Sequence, residues 1–205
     1  MKIMSLLGKK AVRALGIAES FILELPRSIF CGVVYRSDGL LERVIIDEAT
    51  VGGDDATDTI VRIFRRLNRS DIHIMMIDGC ILSWYNILDL YRIYEETKIP
   101  ILSIVFEDIE GDVEKAIVKL FPPDKAKIKL EMFRKLPEPV RIILRSGDVI
   151  YVRVVGIERS ARLLRSIISR FIRDGKRPEP IRIAKHVASA VLEHRRSTMQ
   201  YPEHL

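Results

Sequence analysis

Apolar and polar positions recur along the chain with two different periods, and glycine, proline and aspartate break them into alternating strands and helices. Ile29 to Tyr35 reads as a strand, Ser37-Asp38-Gly39 as a turn, and Leu41 to Val51 as the second strand of a hairpin that Gly52-Gly53 stops. From Ala56 to Leu67, Ile60, Ile63, Phe64 and Leu67 share one helical face while Arg62, Arg65 and Arg66 take the other, and Asp54 or Asp55 can cap the start. Ile72 to Ile77 is a continuous apolar strand interrupted only by His73, and it ends at Asp78-Gly79. Trp84 to Thr97 predicts a helix with Leu88, Tyr91 and Glu95 at helical spacing, after which Pro100 leads into a second buried strand, Ile101 to Phe106. Ile72 to Phe106 therefore reads as a βαβ crossover between parallel strands.

Beyond it, Asp112 to Leu120 and Lys125 to Arg134 predict helices separated by Pro122-Pro123, and Val140 to Leu144 with Val149 to Val154 a short hairpin around Ser146-Gly147-Asp148. Glu158 to Arg173 and Pro180 to Arg196 close the chain as two helices joined by Asp174-Gly175-Lys176-Arg177. This order is that of an α/β protein. With no internal repeat and no linker, residues 1–205 read as a single domain, residues 1–14 forming an N-terminal segment and 197–205 a C-terminal tail.

Composition removes several alternatives. Hydrophobic residues make up 48% and charged residues 30% of the 205, which excludes a disordered or collagen-like polymer. The longest apolar run, Ile101 to Phe106, has the length of a strand, so membrane spanning is excluded. Met1 to Leu15 threads Lys and Arg through its apolar residues without the separate blocks of a secretory signal, which predicts a mature cytoplasmic protein. Cys31 and Cys80 are too few for a disulfide framework or a thiolate zinc site and read as buried thiols. Lys and Arg number 34 against 28 Asp and Glu, and the excess concentrates from Arg134 to Arg196. That end could meet a polyanion or form a solvated helical surface. Asn and Gln are scarce beside abundant Ile, Arg and Glu, a balance suited to a hyperthermophile.

Candidate chemistry is sparse. No phosphate-cradling glycine loop or serine nucleophile elbow is present, and His73, His186, His194 and His204 lack metal-ligand spacing. Asp78 stands at the C-terminal mouth of a central strand, where ligands of open α/β sheets bind, although an aspartate there can equally cap the following turn. Asp54, Asp55 and Asp58 form the dense carboxylate group, and with Asp78 could bind a hard divalent cation; helix capping accounts for them as well. Trp84 and Tyr85 could stack on a base or fill the core. Arg134, Arg141, Arg145, Arg153, Arg159, Arg162, Arg165, Arg170, Arg173, Lys176 and Arg177 offer phosphate-binding groups without interleaved aromatics.

The motifs Gly16-Ile17-Ala18-Glu19-Ser20-Phe21, Val51-Gly52-Gly53-Asp54-Asp55-Ala56-Thr57-Asp58 and Ile77-Asp78-Gly79 together resemble an uncharacterised archaeal family related to endonuclease V. Tyr151-Val152-Arg153-Val154-Val155-Gly156 looks like the late strand of endonuclease V, and Arg177-Pro178-Glu179-Pro180-Ile181-Arg182-Ile183-Ala184 is similar to its Pro-Glu-Pro-x-Arg-x-Ala segment. The resemblance implies a ribonuclease H-like, endonuclease V-like fold: a mixed central sheet with helices on both faces. It also implies carboxylates that hold Mg²⁺ or Mn²⁺ to activate water near deaminated purines. Asp78 matches one of those ligands. The first-strand aspartate falls on Ala18 with Glu19 beside it, the histidine after Asp78 falls on Trp84, and the last aspartate falls on Lys185; Asp58 is the candidate for the remaining glutamate.

Three functions are compatible with these residues. One is an endonuclease V-like protein without efficient nuclease chemistry that binds DNA or RNA through its basic C-terminal half, with Arg153, Arg159, Lys176, Arg177, Arg182 and Lys185 as contacts. The second is an active metal-dependent endonuclease with a rebuilt site, Asp78, Asp58 and Glu19 acting in catalysis and Asp78, Asp54 and Asp58 holding Mg²⁺ or Mn²⁺. The third is a protein-interaction module that keeps only the fold.

Overall fold

The computed structural model describes residue 8 and residues 10–107 and 110–200; most of the expected N-terminal segment and the end of the expected tail, His204 included, lie outside the described residues. In chain order the strands are β1 (Arg13–Ser20), β2 (Arg27–Arg36), β3 (Leu41–Thr50), β4 (Ile74–Asp78), β5 (Ile81–Leu82), β6 (Asn86–Ile87), β7 (Ile101–Val105), β8 (Val140–Ile143) and β9 (Val149–Val155). The helices are α1 (Ala56–Leu67), α2 (Leu90–Thr97), α3 (Glu110–Leu120), α4 (Pro123–Arg134), α5 (Ala161–Ser169) and α6 (Glu179–Gln200). Seven strands form one mixed sheet in the order β3-β2-β1-β4-β7-β9-β8, and β5 and β6 pair separately. β1, β4 and β7 are parallel at its centre, while the β2–β3 hairpin and β9–β8 flank them in antiparallel pairing.

Alternate residues of the central strands feed two cores, one on each face of the sheet. Ala14, Ala18, Met76 and Ile104 pack with Leu164, Phe171, Ala184 and Ala188 beneath α5 and α6. Leu15, Ile17, Met75 and Ile77 pack with Ile60, Ile63, Ile93 and Ile117 beneath α1, α2 and α3. The expected crossover from β4 through α2 to β7 is present, with Ile77 opposite Ser103 in parallel register. Among the described residues no helix is long and apolar enough to cross a membrane.

Four local expectations are corrected. The hydrophobic pattern indicated no strand before Ile29, where the resemblance alone placed a first strand at Ala18; β1 lies there, at the sheet centre. Its small residues explain this: Ala14, Gly16 and Ala18 alternate towards α6, and a Cβ on Gly16 would lie 2.3 Å from the Pro180 backbone. The helix expected from Trp84 starts instead at Leu90, capped by Asp89, whose carboxylate accepts from the Arg92 amide at 2.9 Å. Before it, Ser83, Trp84 and Tyr85 all adopt left-handed backbone angles, with φ of 41°, 57° and 62°, and turn the β5–β6 hairpin. Asp55 sits at the N-cap position of α1 but makes no capping bond; its carboxylate turns back to the Thr50 amide and hydroxyl at 2.9 and 2.8 Å. The helix expected over 158–173 is confined to α5, because Ser160 caps it and the chain has turned by Phe171.

Candidate functional site at the sheet edge

The carboxyl ends of the parallel strands β1 and β4 place Glu19 and Asp78 at the same sheet edge. Alternation turns Ala18 and Asp78 towards the α6 face and Glu19 towards the other. The Ser83 hydroxyl lies 3.5 Å from Glu19 Oε2 and 2.6 Å from the Ser28 hydroxyl. Two cations from the end of the chain close the edge. Arg177 Nη1 donates to Asp78 Oδ1 at 2.8 Å while its guanidinium stacks 4.1 Å over the Phe106 ring, and Lys185 Nζ donates to the Glu19 carbonyl at 2.6 Å. Lys176 Nζ donates to the Phe106 carbonyl at 2.9 Å, which anchors the segment carrying Arg177.

Glu19 is buried, and this burial raises its pKa above the ordinary 4.5; Lys185 and hydrogen bonds from Ser83 oppose the rise, and the nearby Asp78 carboxylate adds to it. Because the folded value is raised, the folded state binds more protons than the unfolded chain in the window above 4.5. Stability therefore falls with rising pH across that window. Glu19→Gln is expected to match the wild type below pH 4.5 and to become the more stable protein at neutral pH. Denaturant unfolding of both proteins at the two pH values checks this; a difference that does not change with pH contradicts it.

The other carboxylates expected at the site are held elsewhere. Asp54 Oδ1 accepts from Lys129 Nζ of α4 at 2.8 Å, and Asp58 pairs with Arg92 of α2. Asp55 has its carboxyl held below the ordinary range: partial burial works against this, but the Thr50 and Asn86 hydrogen bonds prevail. Among the described residues no group of three or more His, Cys, Asp and Glu side chains is placed to hold a metal ion. Both cysteines are buried and outside any disulfide, and burial pushes the Cys31 thiol up to about 12. Trp84 and Tyr85 pack against Phe121, with ring centroids 5.0 and 5.8 Å away.

Lys129 is fully buried and had no signal in the sequence beyond its place in an amphipathic helix. Its ammonium donates to the Gly53 and Tyr85 carbonyls at 3.0 and 2.9 Å as well as to Asp54, joining the loop after β3 to the left-handed turn. Between β4, β7 and α4 a cavity of about 260 Å³ opens beside Asp78 and Arg177, with Phe106, Phe133, Tyr151 and Arg153 in its walls.

The cations expected to meet nucleic acid have partners within the fold. Arg153 is buried and donates to the Pro137 carbonyl, Arg159 donates to the Glu138 carbonyl at 2.6 Å, and Arg182 pairs with Glu179 at 2.6 Å. Lys176, Arg177 and Lys185 hold the edge already described. Four others of the phosphate-binding groups read from the sequence, Arg145, Arg162, Arg165 and Arg170, line an open groove between the β8–β9 turn and α5.

The mixed sheet, its central parallel strands and the helices on both faces define a ribonuclease H-like fold, the one shared with endonuclease V. The chain belongs to the family described as Endonuclease dU, which it matches over residues 10–192. A UPF0215 protein of Pyrobaculum calidifontis is 44% identical over 88% of this chain and 97% of its own length. A crystal structure of a protein of unknown function from Archaeoglobus fulgidus superposes with a TM-score of 0.75 at 26% identity, covering 88% of this chain and 98% of that one. Endonuclease V of Ciona intestinalis, solved with a 24mer DNA containing an inosine followed by a ribo-adenosine, superposes with a TM-score of 0.57 at 12% identity over 90% of this chain and 87% of that one. That last likeness is one of fold.

Proposed function

We propose that this protein binds nucleic acid at the Glu19–Asp78 edge and does not hydrolyse it efficiently. The observation that carries the reading is that neither carboxylate at the edge is open to a metal: Asp78 pairs with Arg177 at 2.8 Å, and Glu19 is buried with its pKa raised, its backbone carbonyl held by Lys185. A hard divalent ion needs several carboxylate oxygens turned towards one point. Here the two carboxylates stand on opposite faces, Ala18 supplies no oxygen, and the Lys185 charge would repel a metal. The residues do not fit the metal that the endonuclease V resemblance implies. They do fit a strand: Arg177 is a phosphate donor already stacked on an aromatic ring, and the neighbouring cavity has aromatic walls.

A second reading, a deoxyuridine-directed endonuclease with a rebuilt site, is favoured by the family's description and by Asp78 lying near enough to Glu19 to raise its pKa. One experiment separates them. Labelled single- and double-stranded DNA and RNA, unmodified or containing deoxyuridine or inosine, are titrated with protein in Mg²⁺, Mn²⁺ or EDTA, and strand integrity is checked afterwards. Salt-sensitive binding with intact strands is expected. Metal-dependent nicking that Asp78→Asn abolishes would establish the second reading instead, and absence of binding to every strand would leave an interaction module.

A further inference from the structure

We infer that the groove between the β8–β9 turn and α5 is a second, separate contact surface that grips the phosphate backbone of a nucleic acid strand. The inference rests on the nucleic-acid reading above but concerns different residues. The groove encloses about 560 Å³ and is lined by Arg145, Arg162, Arg165 and Arg170 with Ser166 and Ser169. Its lining contains neither a carboxylate nor an aromatic ring.

The charge around it is one-sided, whereas many arginines elsewhere are paired. Arg36, Arg62, Arg69, Arg92, Arg134 and Arg195 pair with Asp38, Asp47, Asp71, Asp58, Glu114 and Glu48. Among the described residues no carboxylate pairs with Arg145, Arg162 or Arg165, all of which are exposed. Arg162, Arg165, Ser166 and Ser169 recur at helical spacing on the face of α5 opposite the buried Leu164, Ile167 and Ile168. Arg170 forms the end of the wall and donates to the Lys10 carbonyl at 3.3 Å. Guanidinium forks and hydroxyls together match phosphate oxygens, and several guanidiniums left together repel one another until an anion arrives.

Position selects the partner. Val105 at the carboxyl end of β7 pairs with Tyr151, and Val149 pairs with Ile143, so the β8–β9 turn projects from the same sheet edge as Asp78. The segment leaving α5 bonds first to the opposite edge, through Arg173 to the Ser37 carbonyl at 2.6 Å, and then returns to the Asp78 edge at Lys176 and Arg177. A strand lying over Asp78 can thus enter the groove at Arg145, on the β8–β9 turn, and run along α5. Without aromatic rings to stack bases, the groove holds the strand by its backbone and carries no sequence preference.

The test compares the wild-type protein with Arg145→Gln/Arg162→Gln/Arg165→Gln and with the matching triple lysine variant. Binding to a labelled single strand is measured across a salt series, and circular dichroism verifies the fold of each variant. Loss of three phosphate contacts predicts a slope of log K against log salt that is shallower by about 2, and an affinity about 100-fold lower near 0.1 M salt. The lysine variant keeps most of the slope. Wild-type binding with an unchanged slope in the glutamine variant overturns the groove while leaving the Glu19–Asp78 reading intact. Failure of the wild type to bind any strand overturns both. Tighter wild-type binding to phosphatidylglycerol vesicles than to strands, lost in the glutamine variant, would reassign the groove to a lipid surface and also overturn the proposal.

Discussion

Lys129→Met is expected to lower the unfolding free energy by about 3 kcal/mol. The methionine stem fills the space of the lysine stem, so the effect isolates the ammonium. Removing it leaves the Gly53 and Tyr85 carbonyls without the donor they now share, and Asp54 without its ion-pair partner. Asp54 is 59% exposed and regains water readily, so most of the loss lies in the two carbonyls. A further contribution comes from the turn they anchor. Three consecutive non-glycine residues in the left-handed region cost about 1 to 2 kcal/mol each, and the segment is held by Lys129 on the Tyr85 carbonyl and by the Gly52 amide on the Ser83 carbonyl at 2.7 Å. Urea unfolding measures the loss. Asp54→Asn should cost under about 1 kcal/mol by the same measurement; equal losses for the two variants would show that the carboxylate, rather than the carbonyls, carries the clamp.

Gly16→Ala is the second large effect, expected at about 3 kcal/mol or more. The added methyl would lie 2.3 Å from both the carbonyl carbon and the oxygen of Pro180, and backbone at the start of a helix cannot swing aside as a side chain can. α6 must move away from β1 as a whole. Lys185 rides on that helix and Arg177 lies just before it, so the displacement also disturbs the contacts to the Glu19 carbonyl and to Asp78. Thermal unfolding measures the stability loss, and strand binding by the surviving folded fraction should weaken with it. A variant as stable as the wild type would mean that α6 packs less closely on β1 than its contacts require.

Much of the sheet was legible in the chain because its strands announce themselves in different ways. β4 and β7 are buried on both faces and read as unbroken apolar runs, while β8 and β9 are set off by Ser146-Gly147-Asp148. α1 was legible to its last residue, since Ile60, Ile63 and Leu67 face the core at helical spacing and Asn68 turns left-handed after it. β1 escaped because what selects its residues is the nearness of another helix, which favours Ala and Gly over the branched residues that mark a strand. The left-handed turn at Trp84 escaped for a related reason: Lys129, distant in sequence, holds it in place, and local propensity favoured a helix there. Asp78 was legible from its place after an apolar strand. The pairing of Arg177 with Asp78 and of Lys185 with the Glu19 carbonyl was not, because 99 and 166 positions separate the partners.

The close seat of α6 on β1 also bears on the order in which the chain can be built. β1 leaves the ribosome well before Pro180 and the helix that follows it. Until then the Ala14, Ala18, Met76 and Ile104 side of the nascent sheet has no cover from Ile181, Ala184, Ala188 and Leu192. Until α6 is made the growing polypeptide carries a half-dressed sheet, a state in which exposed apolar surface invites misassociation. Completion of that layer and assembly of the Lys185 contact are the same event.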